Sequence, residues 1–269
     1  MAKKEQPQGQ TKEWCERLAA MQGGYFYPWK AELPPFNGED TYWDLLCQHL
    51  SPEADVLEAG CGHGVDALNI APRCKSLLAY DRVQPYLDIA AEAARKAGAG
   101  NIRWVCADSS ANSNGGRVKI PAATASADLV VSRRGPTNWI EDAPRVCRPG
   151  AVLLQLNPNG MPLPPWNDEL PQDLRISPPD PKDPPVLQTV EKRLSLAGLQ
   201  LDSAWTFDVP MRFADGEQLY LFLGFGRAPG EVPAYDEARP ALDGVFARHA
   251  GPKGLEVRRR RLLWKAVVA

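Results

Sequence analysis

The chain has 269 residues, a formal net charge of −2, 44% hydrophobic and 24% charged residues. Those proportions belong to an ordinary globular protein, and the near balance of charge argues against a general nucleic-acid or anionic-membrane binder. With no apolar run of about 18 residues, no signal-like leader, and six cysteines that form no C-x-x-C pair, a reduced, cytoplasmic protein is expected.

Residues 1–12 are polar and rich in Lys and Gln, the composition of a disordered tail. Residues 13–37 are rich in aromatics (Trp14, Tyr25, Phe26, Tyr27, Trp29, Phe36) and broken by Gly23-Gly24 and Pro34-Pro35, with no clean period. Two readings stand for this stretch. It is either a structural arm packed across the core, or a lid whose Tyr25, Tyr27 and Trp29 meet a substrate. Residues 39–50 then repeat Trp43, Leu46, Cys47 and Leu50 at helical spacing, with Asn37 as a cap and Glu39 and Asp40 in the first turn.

The apolar run Asp55-Val56-Leu57 leads into Glu58-Ala59-Gly60-Cys61-Gly62-His63-Gly64 and a helical pattern. That is a strand, a tight turn and a helix start. Glycines allow positive φ and close approach of a ligand, and the helix start offers free N–H groups. A nucleotide-like cofactor suits such a turn. The dinucleotide fingerprint needs a third glycine at position 65, where Val65 stands; the glycine is at 64 instead. The next strand, Ser76–Tyr80, ends in Asp81, followed by Arg82. A carboxylate there can accept bonds from both hydroxyls of a ribose. Pro85 opens a helix that runs to Ala97 and stops at Gly98. A third strand, Ile102–Cys106, leads to Ala107-Asp108, a fourth spans Asp128–Ser132, and a fifth, Ala151–Leu156, follows Arg148-Pro149-Gly150.

Taken strand by strand, residues 38–157 resemble the class I S-adenosylmethionine-dependent methyltransferases (of the type 11-like kind), whose first motif has the E-x-G-x-G-x-G form. The resemblance implies an α/β fold: a three-layer, Rossmann-like sandwich around a mostly parallel seven-stranded sheet with an antiparallel last strand. It implies S-adenosyl-L-methionine as cofactor, held by Glu58, Gly60, Cys61, Gly62 and Gly64 around methionine and ribose. Asp81 would stand at the ribose, Arg82 would also contact the cofactor, Ala107 and Asp108 would stand at adenine, and Ser132 and Arg133 near the transferred methyl. The Asn/Asp-Pro-Pro-Tyr motif of amino-methylating enzymes is missing after the fourth strand, where Ser132-Arg133-Arg134-Gly135-Pro136 stands.

Beyond the motif region, residues 107–127 form a long polar connection. Nine prolines fall within 161–185, which therefore forms a loop crossing the carboxyl edge of the sheet. A helix is expected at 186–197 and a strand at about 200–208. Asp215 caps a helix at 216–225, though a strand over Leu219–Gly226 fits the same short apolar run. A helix at 235–249 and a β segment at 255–268 complete the chain. The resemblance makes the last segment the antiparallel strand and makes about 210–250 a helical insertion before it. Residues 13–269 thus read as one domain.

No metal site is expected, because His49, His63 and His249 lack ligand spacing. Arg133 and Arg134 can grip a carboxylate or phosphate, or simply anchor a loop. Arg134 joins Tyr25, Tyr27 and Trp29 as a candidate substrate contact. Arg258–Arg261 suggest nucleic acid, but in a strand they split two and two between opposite faces. The expectation is methyl transfer to a small molecule, without membrane and with nucleic acid disfavoured. The alternatives are an rRNA or tRNA methyltransferase and a non-catalytic cofactor-binding sensor or partner protein.

Overall fold

The structure is a computed structural model and describes residues 11–178 and 180–269. In chain order the elements are α1 (Lys12–Gln22), α2 (Glu39–His49), β1 (Asp55–Ala59), α3 (Val65–Ile70), β2 (Ser76–Asp81), α4 (Gln84–Ala97) and β3 (Ile102–Cys106). There follow β4 (Ala127–Arg133), α5 (Ala143–Val146), β5 (Cys147–Pro158), α6 (Val186–Leu196), β6 (Leu201–Phe213), α7 (Gly216–Leu223), α8 (Tyr235–His249) and β7 (Leu255–Val267).

The strands form one seven-stranded sheet in the order β3-β2-β1-β4-β5-β7-β6. The pairings among β1 to β5 are parallel, and β7 runs antiparallel to β5 and β6. This is the expected architecture. Successive strand residues point to opposite faces, and both faces are covered. Val56, Leu129, Val131 and Leu154 pack on one side with Tyr42 and Leu46 of α2, Ala67 and Ile70 of α3 and Leu87 of α4. Leu57, Val130 and Leu153 pack on the other with Val146 of α5 and Val190 and Leu194 of α6. After β1 the chain builds outward through β2 and β3, then returns to place β4 on the other flank of β1. The strand ends at β1 and β4 therefore frame a crevice, the place where open α/β sheets bind ligands.

β6 and β7 are 13 residues each, and their pairing continues past the other strands to Phe213↔Leu255. This overhang carries its own core. Met211, Phe213, Leu255 and Val257 bury against α7, α8 and Trp166, Leu170 and Leu174 of the proline-rich segment. Asp215 accepts from the Gln218 amide at 2.9 Å and caps α7, so residues 216–223 are helix and not strand.

Several expectations are corrected. The tail reading for residues 1–10 lies outside the described residues, but Thr11 and Lys12 are ordered by a helix. The Thr11 hydroxyl accepts from the Trp14 amide at 3.2 Å, and Gly23 closes α1 in the left-handed conformation. Residues 13–22, read as irregular, are that helix. Gly38 rather than Asn37 is the N-cap of α2, while the Asn37 side chain accepts from the Glu39 amide at 3.0 Å. β6 runs five residues beyond the expected end, because its outer half is covered by the overhang's own core. The proline-rich segment packs into that core through Trp166, Leu170 and Leu174, and none of its described residues lines the crevice.

Candidate active site

A cavity of about 570 Å³ opens at the carboxyl ends of the first four strands. Its floor is the glycine turn. Gly60, Gly62 and Gly64 all have positive φ, at 70°, 54° and 81°. The Gly60 and Cys61 amides donate to the Tyr80 carbonyl at 2.9 and 3.0 Å, which ties the turn to the end of β2. The three glycines do different work. Space beside Gly62 is open, as a cradle requires. A Cβ on Gly64 would stand 2.7 Å from the Ala90 Cβ and 2.8 Å from the Trp104 ring, so this glycine lets α3 close on α4 and β3.

Four carboxylates line the cavity, Glu58, Asp66, Asp81 and Asp108, of which Asp66 is paired with Arg133. Glu58 is buried, and its Oε2 has no hydrogen-bond partner among the described residues. Burial pushes its carboxyl well above the usual range, and the neighbouring Asp66 adds to this. Asp81 accepts from the Gly62 amide at 2.9 Å and the Val83 amide at 3.0 Å. Burial outweighs those bonds and raises its pKa. Asp108 accepts from the Ser110 amide and the Ser113 hydroxyl, both at 2.8 Å. Burial pushes Asp108 up, but these bonds outweigh it and hold the carboxyl below its ordinary value.

The opposite wall is aromatic and basic. Tyr25 and Tyr27 of the arm line it, together with Arg133 and Arg134. The arm is held by α7 and the turn after it: Phe225 meets Trp14, Tyr25, Tyr27 and Trp29 at ring distances of 5.1–5.8 Å. The arm is thus both structural and cavity-lining. Phe26 lies against the His63 ring at 4.4 Å. Burial, then Arg133, holds His63 below the ordinary imidazole pKa.

Of the residues singled out in the sequence, Glu58, Gly60, Cys61, Gly62, Asp81, Arg82, Ala107, Asp108, Arg133, Tyr25, Tyr27 and Arg134 come together around this cavity. Ser132 does not. It is fully buried, and its hydroxyl donates to the Ala59 carbonyl at 2.7 Å, which locks β4 to the end of β1. Trp29 is also displaced from the expected place: it packs on Phe222 and Phe225 at the edge of the overhang core. Arg133 reaches the wall with its guanidinium already engaged. It bonds both oxygens of Asp66 at 2.6 Å and Glu39 at 2.9 Å.

Sequence reading missed part of the lining. Cys15 and Tyr86 form one edge, where the Tyr86 hydroxyl donates to the Cys15 carbonyl at 2.9 Å. The i, i+4 pair Trp14 and Leu18 was the available sign that α1 exists and has a buried face. Ser109 and Ser110, in the polar connection after β3, extend the Asp108 end. Cys147 is buried away from the cavity, with its thiol pushed up to about 12 by burial. Among the described residues no group of His, Cys, Asp and Glu is arranged to hold a metal, and no helix is long and apolar enough to cross a membrane.

Residues 56–155 match the family model of a methyltransferase domain. No match to the sequence is found among curated proteins. Solved structures share the fold. A functionally unknown protein from Deinococcus radiodurans R1 is 26% identical, with a TM-score of 0.63 over 95% of this chain and 99% of that one. A provisionally assigned methyltransferase from Bacillus halodurans C-125 is 17% identical, with a TM-score of 0.56 over 85% of this chain and 98% of that one. The [4+2]-cyclase SpnF is 18% identical, with a TM-score of 0.53 over 88% of this chain and 86% of that one. The motif order, the strand order and the family match agree: residues 56–155 match a methyltransferase domain, and the sheet has the strand order expected of the class I methyltransferase fold.

Proposed function

We propose that the protein transfers a methyl group from S-adenosyl-L-methionine to a small molecule held under the aromatic arm. The observation that carries this reading is the unpartnered Oε2 of buried Glu58 beside an open glycine turn. A buried carboxylate oxygen without a donor costs on the order of 1–3 kcal/mol, and an ammonium group supplies the missing partner. The methionine end of the cofactor has such a group. The Glu58, Asp81 and Asp108 carboxylates suit a cofactor that carries positive charge and hydroxyls, and they disfavour the pyrophosphate of a dinucleotide.

When bound, the cofactor supplies an electrophilic methyl on a sulfonium. The chain's own residues hold, align and exclude water. Asp81, fixed by the Gly62 and Val83 amides, presents its carboxylate for the ribose hydroxyls. Asp108, fixed by Ser110 and Ser113, presents its carboxylate for adenine. Tyr25 and Tyr27 cover the acceptor end and keep water away from the transfer. A cavity of about 570 Å³ lies in the range of small-ligand sites, roughly 300–1,000 Å³. An RNA acceptor is less well supported, because the outward arginines Arg258 and Arg260 are spent on Asp208, at 2.8 and 3.0 Å.

Calorimetric titration with S-adenosylhomocysteine, with NADH as control, tests the cofactor. Saturable binding of the first alone is expected, and binding of NADH alone overturns the reading. Turnover of methyl-labelled cofactor with small-molecule extracts then separates transfer from a non-transfer role such as a sensor's. Binding without label transfer to any acceptor would favour the latter.

A further inference from the structure

Four guanidinium groups converge beside the arm end of the cavity: Arg133 at the end of β4, Arg134 just after it, and Arg259 and Arg261 from the inward face of β7. Among the described residues, two carboxylates, Glu39 and Asp66, pair with them. Glu39 alone accepts from three arginines. Its Oε1 takes Arg134 at 2.8 Å and Arg261 at 3.2 Å, and its Oε2 takes Arg133 at 2.9 Å. Burial pushes Glu39 up, but Arg134 and Arg133 outweigh it and hold the carboxyl below its usual value.

Among the described residues, no carboxylate forms an ion pair with Arg259. Its NH1 lies 3.4 Å from the Met211 sulfur, a weak acceptor, and it shares the Tyr27 hydroxyl with Arg134. Burial, then Arg134, lowers its guanidinium pKa, the mark of a cation short of negative charge. Four positive and two negative groups leave an excess of two positive charges in a largely desolvated place, which is costly unless another anion joins. Arg134 adds a second observation. It adopts a left-handed backbone at φ 66°, unusual for a non-glycine residue, and its amide donates to the Leu156 carbonyl at 2.7 Å. That backbone sends its side chain to the cavity wall, where its guanidinium lies 5.2 Å from the Tyr27 ring centroid.

We propose that the Arg134–Tyr27 edge of the cavity, backed by Arg259, is an anion subsite that receives a carboxylate or phosphate group of the methyl acceptor. The acceptor is thereby an acidic small molecule. This inference rests on the cavity being the acceptor site, and it divides the cavity into an acidic end for the cofactor and a basic end for the acceptor. Planar guanidinium forks match either oxyanion, so the shared chemistry is the anionic oxygen pair.

The test is thermal unfolding of the full chain saturated with S-adenosylhomocysteine, titrated with succinate or pyrophosphate at constant ionic strength set by chloride. A ligand of the folded state raises the melting temperature saturably. A saturable rise with either anion supports the subsite, and the stronger of the two identifies carboxylate or phosphate. Arg259→Met should weaken that apparent affinity by roughly tenfold or more, the loss of one charged hydrogen bond. Arg259→Met should also melt at or above the wild-type temperature without anion, because an unpaired buried charge is removed; a merely structural arginine would lower it. Arg259→Lys, which keeps the charge but loses the fork, should retain a reduced shift. No saturable shift with either anion, while S-adenosylhomocysteine still binds, overturns the subsite and leaves the cofactor reading standing. An anion shift in a protein that does not bind S-adenosylhomocysteine does the reverse.

Discussion

The two ends of the cavity are built in opposite ways. The acidic end is local. Glu58, the glycine turn, Asp81 and Asp108 each stand at or just past the carboxyl end of a strand, within 51 residues of chain. The basic and aromatic end is assembled from afar: Tyr25 and Tyr27 from the arm, Arg134 from the end of β4, Glu39 from α2, and Arg259 and Arg261 from the last strand. The lesson concerns which half can vary. The strand-end positions are dictated by the parallel sheet, whereas the distant half changes with the arm and the overhang. A common cofactor and a particular acceptor are the natural division of such a cavity.

Substitutions at the two ends should therefore behave differently. Gly64→Val carries the largest expected effect. A left-handed φ costs a β-branched residue about 1–2 kcal/mol, and a Cβ 2.7 Å from Ala90 adds overpacking of about 1–3 kcal/mol. A large fall in melting temperature is expected; an unchanged melt would show that α3 can shift away from α4. Asp81→Ala comes next. S-adenosylhomocysteine affinity should fall by about 1.5–3 kcal/mol with the fold retained, and calorimetry that finds full affinity removes Asp81 from the site.

Phe225→Ala strips four ring contacts from the arm and should cost about 2 kcal/mol of stability. It should open residues 24–37 to limited proteolysis while lowering cofactor affinity less than Asp81→Ala. Equal losses of affinity in the two variants would erase the distinction between the ends.

Glu58 gives the comparison a pH signature. Its carboxyl is raised by burial in the free protein, while a bound ammonium favours the ionised form. Proton release therefore accompanies binding. Affinity should rise with pH up to the raised pKa and fall below it, in a window above the ordinary glutamate value of about 4.3. Glu58→Gln should weaken binding and flatten that dependence. A wild-type affinity that is level from pH 5 to 8 would deny Glu58 the ammonium.

The smallest effect belongs to the outer face of β7. Arg260→Ala breaks a solvent-exposed pair with Asp208 and should change stability by no more than about 1 kcal/mol, with cofactor affinity unchanged.

What the sequence determined by itself is the sheet and its acidic edge. Apolar runs of strand length, the Glu58–Gly64 turn and the acidic residues at 81 and 108 are local signals, because a strand, its turn and the next helix start are contiguous in the chain. The arginine run could be split into two faces by strand alternation alone, and the structure has Arg258 and Arg260 on Asp208 while Arg259 and Arg261 turn inward. What no local rule could supply is where that inward face points. Ser132 resembled a lining residue and is a buried lock, because the bend at Gly135 folds back onto it: a Cβ on Gly135 would stand 2.5 Å from the Ser132 hydroxyl. Trp29 resembled Tyr25 and Tyr27 and is claimed by Phe222 instead. The Ser132 lock closes on Ala59, 73 residues away in sequence, and Trp29 on Phe222, more than a hundred away; only packing in three dimensions decides such choices.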